Sequence, residues 1–316
     1  MRRNLITGGM GLIGRNVAKQ LVADGERVCL FDSRGELPPD AEDLEGKVEI
    51  LVGDITNWAH VVEAVRESDP DCLFHNAAVL LAPLERDPAM GFRVNLEGTF
   101  NVLEAARLHG VGQVMFPGSR STFGPASPEV VFDDTRQRPV NMYAITKLSG
   151  ELLGEYYGRR YGFDFRALRF PVVIGVGRQL SPPISDINSM IEHSIAGRPF
   201  VSTLHPDVAL NLLYVKEAVR AFIRYRDVDG SRLSRKTYNI KGINLKPAEL
   251  VKVLERHLPR VDIRFDPDES EAARELRKAM SKQMDESLAQ KEWGWQPEYP
   301  LEETVKDFIA ELGRDG

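Results

Sequence analysis

Over the first 170 residues, short apolar runs rich in β-branched and aromatic side chains alternate with longer stretches in which apolar positions recur at helical spacing. This alternation specifies helices on both faces of a parallel sheet, because parallel strands need crossover connections and become buried on both sides. The predicted fold is therefore α/β, a doubly wound parallel sheet, with strands at 4–7, 27–32, 48–53, 72–75, 113–117 and 165–170. Between them, Ile13, Val17 and Leu21 share one face of a helix over 13–23, and a second helix is expected over 57–66.

After Phe170 the alternation gives way to sequence punctuated by Pro171, Gly175, Gly177, Pro182 and Pro183, the composition of loops over a pocket. A strand at 210–215 is expected to return to the main sheet. The segments 237–241, 247–257, 263–265 and 301–312 are expected to form a smaller C-terminal α+β lobe. The expected division is thus residues 1–170 with 209–236 in one unit, and 171–208 with 237–316 in a lobe that meets the substrate.

Composition narrows the function. A chain of 316 residues, 42% of them hydrophobic, can fill a large interior. The net charge is −6 and the Lys and Arg residues are scattered, so there is no basic stripe for nucleic acid or a membrane surface, and a small molecule is the expected partner. No apolar run approaches the roughly 20 residues that span a bilayer. The opening Met1-Arg2-Arg3-Asn4 leads into a strand rather than a signal peptide, which implies a cytoplasmic protein. Cys29 and Cys72 lie inside apolar strands, where buried reduced thiols are expected, and no metal site is anticipated.

Two signals carry chemistry. Gly8, Gly11 and Gly14 follow the first strand at the spacing G-x-x-G-x-x-G and open a helix with Leu12 and Ile13. The first glycine permits a tight turn, the second admits a pyrophosphate, and the third lets helix pack on strand, so the helix N-terminus faces the phosphates. Asp32 ends the second strand, where a carboxylate accepts hydrogen bonds from both ribose hydroxyls and repels a 2′-phosphate, favouring NAD over NADP. Arg34, two residues on, could partner such a phosphate, or else be a solvated loop charge. Asp54 and Ile55 after the third strand, and Asn76, Ala77 and Ala78 after the fourth, are placed to line the same cofactor.

The second signal is Tyr143, the only one of eight tyrosines with a lysine four residues on, at Lys147. That spacing puts both on one helix face. Ser119 stands just past the predicted fifth strand. Oxidising an alcohol requires a base for the hydroxyl proton, and a neighbouring ammonium lowers the phenol from its ordinary pKa of about 10. Tyr143 is expected to be the base, Lys147 its tuner and a ribose anchor, and Ser119 the donor to the substrate oxygen. Asn95 could relay a proton, hold the cofactor or simply pack its helix. His75 reads as a packed strand residue, and Tyr156, Tyr157 and Tyr161 as packing on one long helix. Ser185 and Asp186 are polar candidates for the substrate among Pro182, Pro183, Ile184 and Ile187, or else a helix N-cap.

In order along the chain, T-G-G-x-G-x-I-G, the acidic Asp32, G-D-I, H-N-A-A, V-N-x-x-G-T-x-N-V-L-E-A-A-R and Y-x-x-x-K resemble the extended short-chain dehydrogenase/reductases, the family of NAD-dependent epimerases and dehydratases. The resemblance implies a Rossmann-type fold, NAD as cofactor, and a homodimer joined through helices at 88–109 and 141–161. Family dehydratases place Asp-Glu after the catalytic hydroxyl residue, where Arg120 and Ser121 stand here. Epimerases carry an asparagine where Val172 stands and an Arg-Asp pair that 207–215 lacks. Phe116-Pro117, Phe123-Gly124-Pro125, the turn at Arg169, Pro267-Asp268 and the tail from Met284 to Trp295 resemble the short-chain L-threonine 3-dehydrogenases. That group has a glycine at Val172, a substrate-side serine at Leu81 and Trp-Pro at Met280-Ser281. Leu81 and Arg120 thereby join Ser119, Ser185 and Asp186 as substrate candidates. The expected reaction is oxidation of a secondary alcohol in a threonine-like 3-hydroxy amino acid or hydroxy acid. A UDP-sugar 4-epimerase and an inactive NAD-binding regulator are the alternatives.

Overall fold

A computed structural model describes residues 1–177 and 185–313. Its strands in chain order are β1 (Arg3–Thr7), β2 (Arg27–Asp32), β3 (Glu49–Val52), β4 (Cys72–His75), β5 (Gln113–Ser119), β6 (Val130–Val131), β7 (Asp164–Phe170), β8 (Val172–Ile174), β9 (Phe200–Ser202), β10 (Leu210–Tyr214), β11 (Thr237–Asn239), β12 (Ile243–Leu245), β13 (Ile263–Phe265) and β14 (Gln283–Met284). Seven of them form one parallel sheet in the order β11-β7-β5-β4-β1-β2-β3. The winding reverses between β1 and β4, and in such sheets the crevice at the carboxyl ends of the strands takes the ligand.

The period of two in each strand divides the core into two layers. Leu5, Cys29, Leu73, Val114 and Phe165 face one side, and Ile6, Leu30, Phe74, Met115 and Leu168 the other. Helices α1 (Leu12–Ala23) and α8 (Val215–Arg226) bury Val17, Leu21, Val219 and Phe222 in the second layer. Helices α2 (Trp58–Ser68), α5 (Gly98–Leu108) and α6 (Met142–Tyr161) cover the first with Val61, Val65, Val102, Leu103 and Tyr157. Each fully buried Leu, Ile or Phe contributes roughly 1.5–3 kcal/mol relative to exposure. Local signals set the helix ends: Asn57 accepts from the N–H groups of Ala59 and His60 to start α2, and the left-handed Asp69, φ 38°, stops it. Short helices α3 (Leu81–Arg86) and α4 (Pro88–Met90) follow β4, and α7 (Asp186–Ile195) precedes β9.

Two expected strands exchange places. Leu210–Tyr214 does not join the main sheet; β10 instead lies between β8 and β12 in a separate three-stranded sheet. The strand that extends the main sheet is β11, expected in the smaller lobe, which pairs Thr237 with Ala167 on the open edge of β7. An apolar strand buried on both faces looks the same in either sheet, and a three-residue strand is too short to show a period. Pro171 provides the break, because β8 begins immediately after it and carries pairing away from β7 to β10. Tyr157 packs in the core as expected, whereas Tyr156 and Tyr161 are exposed on the outer side of α6. Pro182, Pro183 and Ile184 lie outside the described residues. Among the described residues no helix is long and apolar enough to cross a membrane.

Candidate active site

The turn after β1 is shaped by close approach. Gly8 has φ +66°, and a Cβ on it would lie 2.6 Å from the Ala77 nitrogen. On Gly14 a Cβ would lie 2.3 Å from the Gly8 carbonyl oxygen. Gly11 meets only that same oxygen, at 3.0 Å, which leaves its other side open. It is also the N-cap of α1 and supplies no capping side chain, so the first N–H groups of the helix, from Leu12 and Ile13 onward, have no side-chain acceptor. A helix start in this state, behind a turn too tight for side chains, fits a pyrophosphate.

Asp32 braces the turn, its Oδ2 accepting from the Met10 N–H at 2.9 Å and its Oδ1 from the backbone and Nε of Arg34 at 3.1 and 3.3 Å. Arg34 is exposed yet ion-paired, not merely solvated. Arg15, which sequence reasoning missed, is buried, ion-paired to Asp40 at 2.6 Å and donating to the Val176 carbonyl. One residue past the last glycine, it carries no pattern that distinguishes it from a surface arginine.

At the next strand ends, Asp54 accepts from the Thr56 N–H, and Ile55 is buried against Gly98. Asn76 continues the ladder from β4 by donating its N–H to the Thr7 carbonyl, while both polar atoms of its side chain are buried without a hydrogen-bond partner. An unsatisfied buried amide costs about 1–3 kcal/mol, so this carboxamide, on a residue whose backbone lies against Gly8, fits a polar ligand. His75 is spent differently: its ring nitrogens meet Thr7 Oγ1 at 2.8 Å and Thr99 Oγ1 at 2.9 Å. Burial, helped by the charge of Lys147, pushes its pKa down to about 3, so the ring is neutral.

Ser119 is the last residue of β5, its Oγ 2.8 Å from Ser121 Oγ. The 3-10 turn Arg120–Phe123 begins there, and α6 packs on both β5 and that turn. Asn141 caps α6 by accepting from the Ala144 N–H at 2.8 Å, which aligns Tyr143 and Lys147 along one face. Lys147 is buried, with Nζ donating to the Pro117 carbonyl at 2.9 Å, 4.7 Å from the Phe116 ring centroid and 5.9 Å from that of Tyr143. Burial lowers its pKa to about 8, against the pull of Glu151. The structure thus brings Ser119, Tyr143 and Lys147 to the carboxyl end of β5, beside the strand ends that carry the glycine turn and Asn76.

Asn95 sits in a π-helical stretch, Gly91–Glu97, accepting from the Val79 N–H and donating to the Val79 carbonyl and Thr146 Oγ1. It ties the segment after β4 to the residue next to Lys147. Leu81 opens α3. Arg120 follows Ser119, and burial pushes its guanidinium down to about 10, which leaves it charged. Ser185 stands at the N-cap of α7 but caps nothing with its side chain. Asp186 departs from expectation: it is buried, and its Oδ2 accepts from Thr203 N–H at 2.6 Å, Thr203 Oγ1 at 2.9 Å and Ser202 Oγ at 3.1 Å. The carboxylate holds β9 to α7 and is turned into the protein.

Comparison with known proteins gives the family and the fold. The family described as the NAD dependent epimerase/dehydratase family matches residues 4–240. The mitochondrial L-threonine 3-dehydrogenase of Bos taurus is 33% identical over 312 residues, covering 98% of this chain and 82% of that one. The holo structure of a GalE-like L-threonine dehydrogenase from Cupriavidus necator superposes with a TM-score of 0.89 at 28% identity, covering 98% of this chain and 99% of the other. A UDP-glucose 4-epimerase from Thermotoga maritima shares the fold, with a TM-score of 0.83 at 22% identity and 99% of each chain covered.

Proposed function

The chain belongs to the NAD-dependent epimerase/dehydratase family, the extended short-chain dehydrogenase/reductases, and from that premise we propose that it oxidises the secondary alcohol of L-threonine or a closely related 3-hydroxy amino acid or hydroxy acid. The observation that carries the reading is the convergence of Tyr143, Lys147 and Ser119 at the end of β5, with the lysine ammonium buried against Pro117. The resemblance to L-threonine 3-dehydrogenases along nearly the whole chain supports the substrate class.

In this reading Gly8, Gly11, Leu12, Ile13 and Gly14 hold the cofactor's pyrophosphate and Asp32 its adenosine ribose. Asp54 and Ile55 flank the adenine, and Asn76, Ala77, Ala78 and Asn95 line the path to Tyr143 and Lys147 at the second ribose. When bound there, NAD supplies the hydride acceptor. The chain's own residues manage the proton. Ser119 donates to the substrate oxygen and fixes its direction, and the Tyr143 hydroxyl, as phenolate, takes the alcohol proton. The buried ammonium of Lys147 stabilises that phenolate by opposite charge. Leu81, Arg120 and Ser185 remain the candidates for substrate contact, and a cationic Arg120 suits a carboxylate. The cofactor unit in this reading is 1–170 with α8 and β11, residues 215–239, while β10 goes with β8 and β12 to the remainder, which forms the substrate lobe. Buried free thiols at Cys29 and Cys72 suit a reducing cytoplasm.

Phe100, Leu108, Ile145, Leu152, Tyr156 and Tyr161 are exposed on α5 and α6, an apolar face suited to a homodimer. Sedimentation should give twice the chain mass, and Leu152→Glu should halve it; a monomeric unaltered chain would rule this assembly out. For the reaction, NAD is incubated with L-threonine, other small hydroxy acids and UDP-glucose. Free NADH should accumulate with the small alcohols. Interconversion of the UDP-sugar without NADH, and no oxidation of any small alcohol, would establish the epimerase reading instead.

A further inference from the structure

Behind Lys147 lies a buried charged group that proton transfer at Tyr143 does not use. Glu151 is one helical turn after Lys147 on α6 and 2% exposed. Its Oε2 is ion-paired to Arg169 Nε at 3.0 Å and accepts from Gln137 Nε2 at 3.2 Å, whereas its Oε1 is buried with no hydrogen-bond partner. A Cβ built on Gly118 would lie 2.6 Å from that free oxygen. Glu151 therefore occupies the place of the missing Gly118 side chain, while Lys147 bonds the carbonyl of Pro117 and Ser119 comes next. Three consecutive residues of β5 thus adjoin the ammonium, adjoin the carboxylate and carry the hydroxyl of Ser119.

A carboxylate in this position carries a desolvation cost that opposite charge and hydrogen bonds must offset. Arg169 gives that match: besides Glu151 it donates to the Asp133 carbonyl at 3.0 Å and to Gln137 Oε1 at 3.3 Å. Gln137 also donates to Thr122 Oγ1 at 2.7 Å, and Thr122 to the Ser119 carbonyl at 2.8 Å, so the same network ends on the strand that carries Ser119.

We propose, on the proposed reaction, that Glu151 is a positioning residue for Lys147, its carboxylate over Gly118 holding the lysine in its charged form against the Pro117 carbonyl. The groups that face Lys147 bear this out element by element. On α6 these are Tyr143 and Glu151, and Glu155 acts on Glu151. From β4 comes His75, neutral near pH 7. From β5 come the Pro117 carbonyl and Phe116 ring, which take a cation without titrating. Arg169 of β7 stands against Glu151, with which it is ion-paired. Beyond it Asp133, raised by burial to about 6, changes charge below the range in which Lys147 titrates. Burial pushes the Lys147 pKa down and Glu151 pushes it back up; without that carboxylate the lysine would lose its proton nearer neutrality. Burial raises the Glu151 carboxyl above its ordinary range, and Arg169 and Gln137 offset only part of that rise.

The test reads the two groups directly, in the full chain without substrate, by carbon NMR of labelled lysine and glutamate across a pH series. The Lys147 signal is assigned by its loss in Lys147→Met. In Glu151→Gln the Lys147 midpoint should fall by about one unit or more, the scale expected for removal of a nearby opposite charge. Gly118→Ala, which forces the carboxylate away, should move it the same way by less. In the unaltered chain Glu151 should be ionised throughout the range in which Lys147 titrates, a result that requires no variant to fold. A Lys147 midpoint unchanged in folded Glu151→Gln, or a Glu151 still protonated while Lys147 titrates, would overturn the proposal. Because no substrate is present, neither result depends on whether L-threonine is oxidised.

Discussion

The carboxyl ends of β1, β4 and β5 and the region around the start of α7 both supplied candidate residues, and they came out differently. At the strand ends, Gly8, Asn76, Ser119 and Lys147 are gathered by neighbouring strands of one sheet and the helix packed on it. Around α7, Asp186 is turned inward to Ser202 and Thr203, and Ser185 occupies a cap position without capping. A residue at the end of a regular element inherits a direction from the period of that element. Asp186 is the exception: although it is the first residue of α7, its direction is set by a distant strand, β9, and nothing local announces that partner.

The sharpest way to break this contrast is to remove one oxygen at the strand-end site. Tyr143→Phe should lose a factor of about 10² to 10⁴ in kcat, with NAD binding retained, as measured by calorimetry beside steady-state kinetics. Half the activity surviving would mean that the proton leaves by another route. Asp186→Ala should have a smaller effect, and of another kind. It leaves the Thr203 N–H and the hydroxyls of Ser202 and Thr203 without their acceptor, which costs about 1–3 kcal/mol of stability, while KM for the small alcohol stays as it was. A raised KM with an unchanged melting temperature would return Asp186 to the substrate and erase the contrast between the two regions.

What was legible in the sequence follows the same line. The strand alternation, the glycine turn and the Tyr143–Lys147 spacing are local patterns, and each strand so read falls within a residue or two of its place. The exchange of β10 and β11 was hidden because an edge strand of three residues has no readable period and a doubly buried strand fits either sheet. Arg15, Glu151 and Arg169 were passed over for a related reason. A buried charge is recognised by its partner, and Asp40 lies 25 positions from Arg15 and Arg169 lies 18 from Glu151. Asn95 was open among three roles, and what resolves its contacts, the Val79 backbone, comes from the loop after β4.

The most direct test of the central claim follows the hydrogen itself. L-threonine carrying deuterium on the hydroxyl-bearing carbon is incubated with NAD, and both products are examined by mass spectrometry. Net oxidation through Tyr143 requires the label to appear in released NADH and to vanish from the amino acid product, and Tyr143→Phe should slow the transfer without changing its destination. Deuterium retained in the amino acid, with no labelled NADH released, would contradict the claim.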